Sequence, residues 1–321
     1  MPERSGTRLR MLVAVSIAGA TSLGAAAPAS AYLRDFQVVA AGTPSNSATI
    51  KSTQFSCPAG KVGIGTGARV TPPLANLGLD RAWVDFEQHQ ALDGGTETDA
   101  NVGGWRVRGS ALCATQTAAV PAPGGVGYLK NRSLATASSA SDSSFSHQAT
   151  ATCPAGSTAI GGGGEVVGET PSHAAPNNVA LDTTQRAGLL GTGWRARAHE
   201  VDFTPAQWKV TAYAICANIN GALTTATYVG PKEDAIQARV TQPGPPRAGT
   251  QSWVAPCPSG TKVIGGGGLV LGATGPAPPA DVVLTASHPE DAPTATGWSV
   301  ETHDTDPPGP AYRVQLRAIC G

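Results

Sequence analysis

Two short stretches hold the residue types that chemistry needs. His199-Glu200-Val201-Asp202 and His303-Asp304-Thr305-Asp306 each place one histidine and two carboxylates within four residues, and each histidine stands five residues after a Gly-Trp pair. Imidazole with carboxylate is a zinc donor set and a proton-transfer pair. On an extended strand, though, His199 and Asp202 fall on opposite faces, so joint use requires a turn. Thr204-Pro205 and Pro307-Pro308 provide the turn signals. The expectation is a solvated hairpin tip whose aspartates satisfy backbone groups. Nearer the start, Asp85, Glu87 and His89 repeat the residue types at a different spacing. Structural zinc needs four ligands and catalytic zinc three plus water. One histidine per stretch falls short, so no metal and no cofactor is expected, and both histidines are expected to be dispensable for folding. The chain has no G-x-S-x-G, H-E-x-x-H or C-x-x-C motif, and no catalytic residue is assigned.

Tryptophan is the other candidate. An exposed indole stacks on sugar faces, whereas a buried one supplies core area. Trp105, Trp194, Trp208 and Trp298 hold repeated positions and are expected in the core. Trp253 has no counterpart and is the expected exposed ring. The candidate ligand contacts are therefore Trp253, His199, Asp202, His303 and Asp306.

Four consecutive glycines, Gly265 to Gly268, raise the question of a phosphate loop. Such a loop needs a following helix and usually a lysine, and neither follows here. The glycines instead read as part of a strand. The expectation is that Gly265 and Gly267 share a face covered by a neighbouring tryptophan, with Gly266 on the tolerant side.

What positions these residues is a repeat. Cys-Pro-x-Gly opens three copies at Cys57, Cys153 and Cys257. An isoleucine follows seven residues later each time (Ile64, Ile160, Ile264), then a Gly-x-Gly pair. Each copy closes on an alternating strand: WRVRGSALC, WKVTAYAIC and YRVQLRAIC. The repetition selects one pairing of the six cysteines: Cys57–Cys113, Cys153–Cys216 and Cys257–Cys320. In WKVTAYAIC, Trp208, Val210, Ala212, Ala214 and Cys216 share one face at a period of two. Further strands are expected at 179–185, 193–200, 281–287 and 297–303, and no segment keeps a helical period. The fold class is all-β: three homologous small β modules, sandwich- or prism-like, of about five strands each and each closed by one disulfide.

Residues 1–31 read as a secretory signal peptide, with Arg4, Arg8 and Arg10 ahead of a short apolar run and Ala29-Ser30-Ala31 as the cleavage site. The modules are expected at 32–120, 121–222 and 223–321. No lipid-bearing cysteine or second anchor is evident, so the product is expected to be released outside the cell without a membrane anchor. Loss of Glu3 and the three arginines leaves a slightly acidic mature chain, which points away from nucleic acid.

The pattern C-P-x-G-x-x-x-I-G-x-G, then Gly-Trp, then W-x-V-x-A-x-A-I-C resembles a repeat of secreted actinobacterial proteins and some phage tail proteins. The resemblance spans nearly all of residues 34–321. Cys-Pro-x-Gly before a glycine strand is also similar to vitelline membrane outer layer proteins. Those are threefold β-prisms with units about half as long. Both resemblances imply an extracellular β module, and neither supplies catalytic residues. The functional expectation is a secreted, non-enzymatic binding or structural protein, multivalent for a cell-surface glycan or an extracellular protein. The alternatives are a secreted hydrolase and an inhibitor of an extracellular enzyme. Equivalent surface residues in all three copies favour multivalency; one pocket with clustered acid and base favours an enzyme.

Overall fold

The structure, a computed structural model, describes residues 34–74, 76–85, 90–98, 103–115, 132–169, 175–188, 191–217, 251–257, 262–273, 275, 277–290, 296–306 and 311–320. The signal-peptide reading and the residues Glu87 and His89 lie outside them.

Copy 1 contributes six strands: β1 (Arg34–Gly42), β2 (Ile50–Ser56), β3 (Lys61–Thr71), β4 (Leu77–Asp85), β5 (Gln90–Glu97) and β6 (Arg106–Thr115). Copy 2 repeats them as β7 (Ser133–Ser138), β8 (Ser146–Thr152), β9 (Thr158–Gly168), β10 (Val179–Ala187), β11 (Gly193–Glu200) and β12 (Trp208–Ala217). The described part of copy 3 holds β13 (Gln251–Pro256), β14 (Val263–Gly272), β15 (Val282–Pro289), β16 (Gly297–Asp304) and β17 (Tyr312–Cys320). The chain is all-β, with three homologous modules each closed by one disulfide.

The modules share their sheets. Sheet I runs β1-β6-β3-β15-β16-β13, sheet II β2-β5-β4-β9-β12-β7, and sheet III β17-β14-β10-β11-β8. Each sheet thus joins part of one copy to part of another, along a short antiparallel seam such as Arg81↔Glu165 and Ala82↔Gly164. Within a copy the two halves face each other as a sandwich; around the molecule the three sheets close as a prism. Cys57–Cys113 ties sheet II to sheet I, Cys153–Cys216 ties III to II, and Cys257–Cys320 ties I to III.

The opening motif has a local cause. Lys61 N–H donates to Pro58 O and Ser157 N–H to Pro154 O, each at 3.0 Å, closing a turn in which Gly60 and Gly156 take φ of 80°. Proline opens each turn as the acceptor residue, and glycine at the third position accepts the left-handed backbone.

The Gly-x-Gly strands meet at the pseudo-threefold axis. A Cβ on Gly65 would stand 3.0 Å from Ile264 O, and one on Gly265 would stand 2.6 Å from Ile160 O. One on Gly161 would strike Ile64 O, which closes the cycle. Backbone packs on backbone, and no side chain fits between. Further along the axis, Gly78 meets Ala180 and Val283, the residues at the equivalent point of each copy. Around this axis one continuous core collects Trp105, Trp194, Trp208, Trp298 and the three isoleucines.

Candidate functional site

The two histidine stretches end strands β11 and β16, and they are buried rather than solvated. His199 is 0% exposed and His303 6%, and Glu200 and Asp304 are buried beside them. Asp202 and Asp306 are exposed on the turns that follow. The expectation of a solvated tip is corrected for the histidines: the strands extend through Glu200 and Asp304, and their last three residues are all buried, before the chain turns.

His199 has a defined partner that the sequence reading missed. Its Nδ1 lies 2.8 Å from Asp182 Oδ2, while Arg197 Nε donates to Asp182 Oδ1 at 2.7 Å and Thr183 Oγ1 donates at 2.6 Å. Asp182 occupies a bulge of β10, between Leu181 and Thr183 in the pairing with β11. Burial pushes this carboxyl up, but the bond and charge of His199, with Arg197 and Thr183, outweigh it and hold the group below the ordinary range. His303 is lowered by burial, opposed by Asp304.

Glu200, the acid after His199, serves a different ring, as does Glu97 at the matching position of copy 1. Trp208 Nε1 donates to Glu200 Oε1 at 3.1 Å, and Trp105 Nε1 donates to Glu97 Oε1 at 2.9 Å. The true copy-1 counterpart of the stretch is therefore Thr96-Glu97-Thr98, not Asp85 and its neighbours. The signal was present in the sequence: an acid stands eight residues before the closing aromatic in every copy (Glu97, Glu200, Asp304). Glu97 and Glu200 satisfy buried indoles, which otherwise leave a donor unpaired; in copy 3 the closing ring is Tyr312, whose hydroxyl pairs with Thr302 Oγ1 at 3.0 Å. Lys51 lies 4.4 Å over the Trp105 ring, and at the equivalent point His147 meets Trp208 edge-on at 4.3 Å. At the junction of copies 2 and 3, burial and the nearby Asp306, Asp304 and Asp202 push the Asp281 carboxyl up.

Trp253 is half-buried on β13 and packs against the core. The five proposed contact residues are thus divided: two buried histidines, two exposed aspartates and one half-buried ring. Among the described residues, no three His, Cys, Asp or Glu side chains converge as metal ligands.

The glycine strands explain the tryptophans, with the faces reversed from expectation. The ring covers Gly266, not Gly265 or Gly267: a Cβ on Gly266 would fall within the Trp298 indole, and one on Gly162 within that of Trp194. Gly265 and Gly267 instead face backbone of other strands. Each indole N–H is met by an equivalent hydroxyl, Trp194 by Thr184 at 3.0 Å and Trp298 by Ser287 at 3.1 Å. Copy 1 solves the same space differently. Ala91 takes the tryptophan position, Ala82 the hydroxyl position and Thr66 the glycine position. Thr66 donates to the buried Asp93, at 3.1 Å to Oδ2. Phe55 sits opposite Ala91 where Ala151 sits opposite Trp194 and Ala255 opposite Trp298, so large and small residues exchange strands.

Trp83 stands outside that exchange: its equivalents are Gln185 in copy 2 and His288 in copy 3. Trp83 lies on β4, on the face turned away from the copy-1 core, half-buried and stacked on Tyr213 of β12. The ring centroids are 4.2 Å apart and the planes 6° from parallel. Tyr213 Oη donates to Glu165 Oε2 at 2.9 Å, and Arg81 Nη1 stands 3.4 Å from Glu165 Oε1. Leu92 lies opposite Trp83 on β5. An aliphatic–aromatic row with a charged pair beside it crosses the outward face of sheet II.

Fold and site together define a disulfide-closed, pseudo-threefold all-β protein whose most conspicuous polar residues are structural. No protein-family model matches the chain, and no curated protein matches it.

Proposed function

We propose that this is a secreted, non-enzymatic extracellular binding protein whose ligand is a cell-surface glycan. The observation that carries the reading is the Trp83–Tyr213 stack on the outward face of sheet II, with Leu92 beside it and Arg81 and Glu165 at its border. A rigid aromatic and aliphatic patch bordered by charged hydrogen-bonding groups suits a sugar, which offers apolar C–H groups and hydroxyls together. The binding surface is one sheet, because the equivalent positions on the other two carry different residues: Gln185 and Arg317 on sheet III, His288 and Ser110 on sheet I. Three disulfides are compatible with an extracellular location. The non-enzymatic reading is supported by His199 and Glu200, which are buried and bonded within the scaffold.

The test is sedimentation of the mature protein with insoluble bacterial cell-wall polysaccharide. Wild type is expected in the pellet, and Trp83→Ala and Tyr213→Ala in the supernatant, with each variant's melting curve as a folding control. Equal sedimentation of wild type and both folded variants removes this surface as the site.

A further inference from the structure

The outward row of sheet II has a counterpart on sheet III. There the order is Arg195 on β11, Gln185 on β10, Gly267 on β14 and Arg317 on β17. Gln185 lies opposite Arg195, and Gly267 lies opposite Arg317. A Cβ on Gly267 would stand 3.0 Å from Gln185 Cα, so the two inner strands abut at this point. Arginine thus replaces Leu92 at one end of the row and Tyr213 at the other.

Charge on this sheet is one-sided. Its strands contribute Arg186, Arg195, Arg197, Arg313 and Arg317 against the carboxylates Asp182 and Glu200. Asp182 is taken by His199 and Arg197, and Glu200 by Trp208 and Thr204. Arg197 Nη2 donates to Val270 O at 2.9 Å and Arg313 Nε to Gly272 O at 3.1 Å, at the far end of β14 from the row's arginines. In the row, Arg317 Nη1 donates to Arg186 O at 3.1 Å. Arg186 is buried at 7% exposure, and its Nε donates to Gly191 O at 3.3 Å. Burial, then the charge of Arg317, brings the Arg186 guanidinium down to about 10.

Buried polar atoms in the row make no hydrogen bond, among them Arg195 Nε and Gln185 Oε1, the latter on a side chain only 4% exposed. An unpaired donor beside an unpaired acceptor is costly. The amide of Gln185 presents N–H instead of oxygen after a half-turn about its last torsion. Arg195, Gln185 and Arg317 then offer donors along one line, and the glycine between the last two puts no side chain in the way. Guanidinium forks match the oxygens of a tetrahedral oxyanion, which accepts several such bonds at once.

We propose that the Arg195–Gln185–Arg317 row of sheet III is an oxyanion-binding site that takes a phosphate or sulfate group of an extracellular ligand. The site is on a different sheet from the aromatic row and stands independently of the glycan reading.

The test follows thermal unfolding of the full mature chain in sodium phosphate, sodium sulfate and sodium chloride at matched ionic strength. Excluded kosmotropes stabilise any fold in proportion to their concentration. The diagnostic quantities are therefore saturation and the difference between variants. Wild type is expected to show a saturating rise of about 3 °C at tenfold Kd in phosphate, in sulfate or in both, and which salt saturates identifies the group. Arg195→Gln should lose the saturating part. Gln185→Glu should lose it too and melt higher in chloride, because a carboxylate then stands in the row. Arg106→Gln, an exposed arginine on sheet I, should keep it. A linear rise in wild type, or an undiminished saturating rise in Arg195→Gln, overturns the proposal. Should Arg195→Gln not fold, Arg195→Lys keeps the charge without the fork. Phosphorus NMR of inorganic phosphate with native wild type should then show line broadening that Arg195→Lys weakens; equal broadening in both also overturns the site.

Discussion

His199 Nδ1 and Asp182 Oδ2 stand 2.8 Å apart, with both side chains fully buried. A histidine that reads as a surface ligand is thereby the partner of a buried carboxylate. His199→Ala is expected to cost about 3 kcal/mol in urea unfolding, because it leaves Asp182 buried with less compensation. Asp182 also sets a pH window. Its folded-state value is depressed, so its contribution is present above the ordinary aspartate range and is lost as pH falls through the depressed value. The cost of His199→Ala should shrink in acid; a variant as stable as wild type at neutral pH excludes the structural role.

Asp80 gives the opposite sign. It occupies in β4 the bulge that Asp182 occupies in β10, but the equivalents of Arg197 and His199 are Gly94 and Thr96. Neither Asp80 oxygen has a hydrogen-bond partner, and Arg81 Nε lies 3.5 Å away. Burial, against the charge of Arg81, raises the carboxyl from 3.8 to about 6. A raised acid stabilises below its unfolded value, and that contribution is lost as pH climbs through the folded one. Asp80→Asn should therefore gain up to about 3 kcal/mol at pH 7 relative to its effect near pH 3.5. Chemical denaturation at the two pH values measures this; a pH-independent effect contradicts it.

Gly266 and Trp298 should be coupled. Gly266→Thr alone is expected to cost at least about 2 kcal/mol, because the side chain enters the indole. Trp298→Ala alone should cost about 3–5 kcal/mol through its cavity. The double variant reproduces the Thr66 and Ala91 arrangement of copy 1, so it should be more stable than the sum of the two losses by at least about 1 kcal/mol. Additive losses in a double-mutant cycle would rule out a shared space.

The disulfides should be separable in their effect. Each closes a sequence separation of 56 or 63 residues. Replacing any one pair with serines is expected to cost about 4 kcal/mol in the chain-entropy account. Peptide mapping without reductant should recover Cys57–Cys113, Cys153–Cys216 and Cys257–Cys320, and a bridge between copies contradicts the shared-sheet architecture.

The sequence by itself determined the all-β class, the threefold repetition, the cysteine pairing and the inward face of the closing strands. Those features rest on local spacing: a period of two decides a strand face, and three repeats of one interval decide which cysteines meet. It also located the Gly-x-Gly strands and marked them as structural, but it did not tell which glycine lies under the indole. That depends on the bulge between Val263 and Gly265, a one-residue shift that reverses every face beyond it. Tertiary structure alone decided that the copies share sheets, because the seams join residues from different copies at only two register positions each. It alone revealed Asp182 behind His199, since bulged residues break the alternation from which sequence assigns faces. And it alone placed Trp83 beside Tyr213 and Gln185 between two arginines, because those rows run across strands of two copies, at right angles to any spacing the chain can carry.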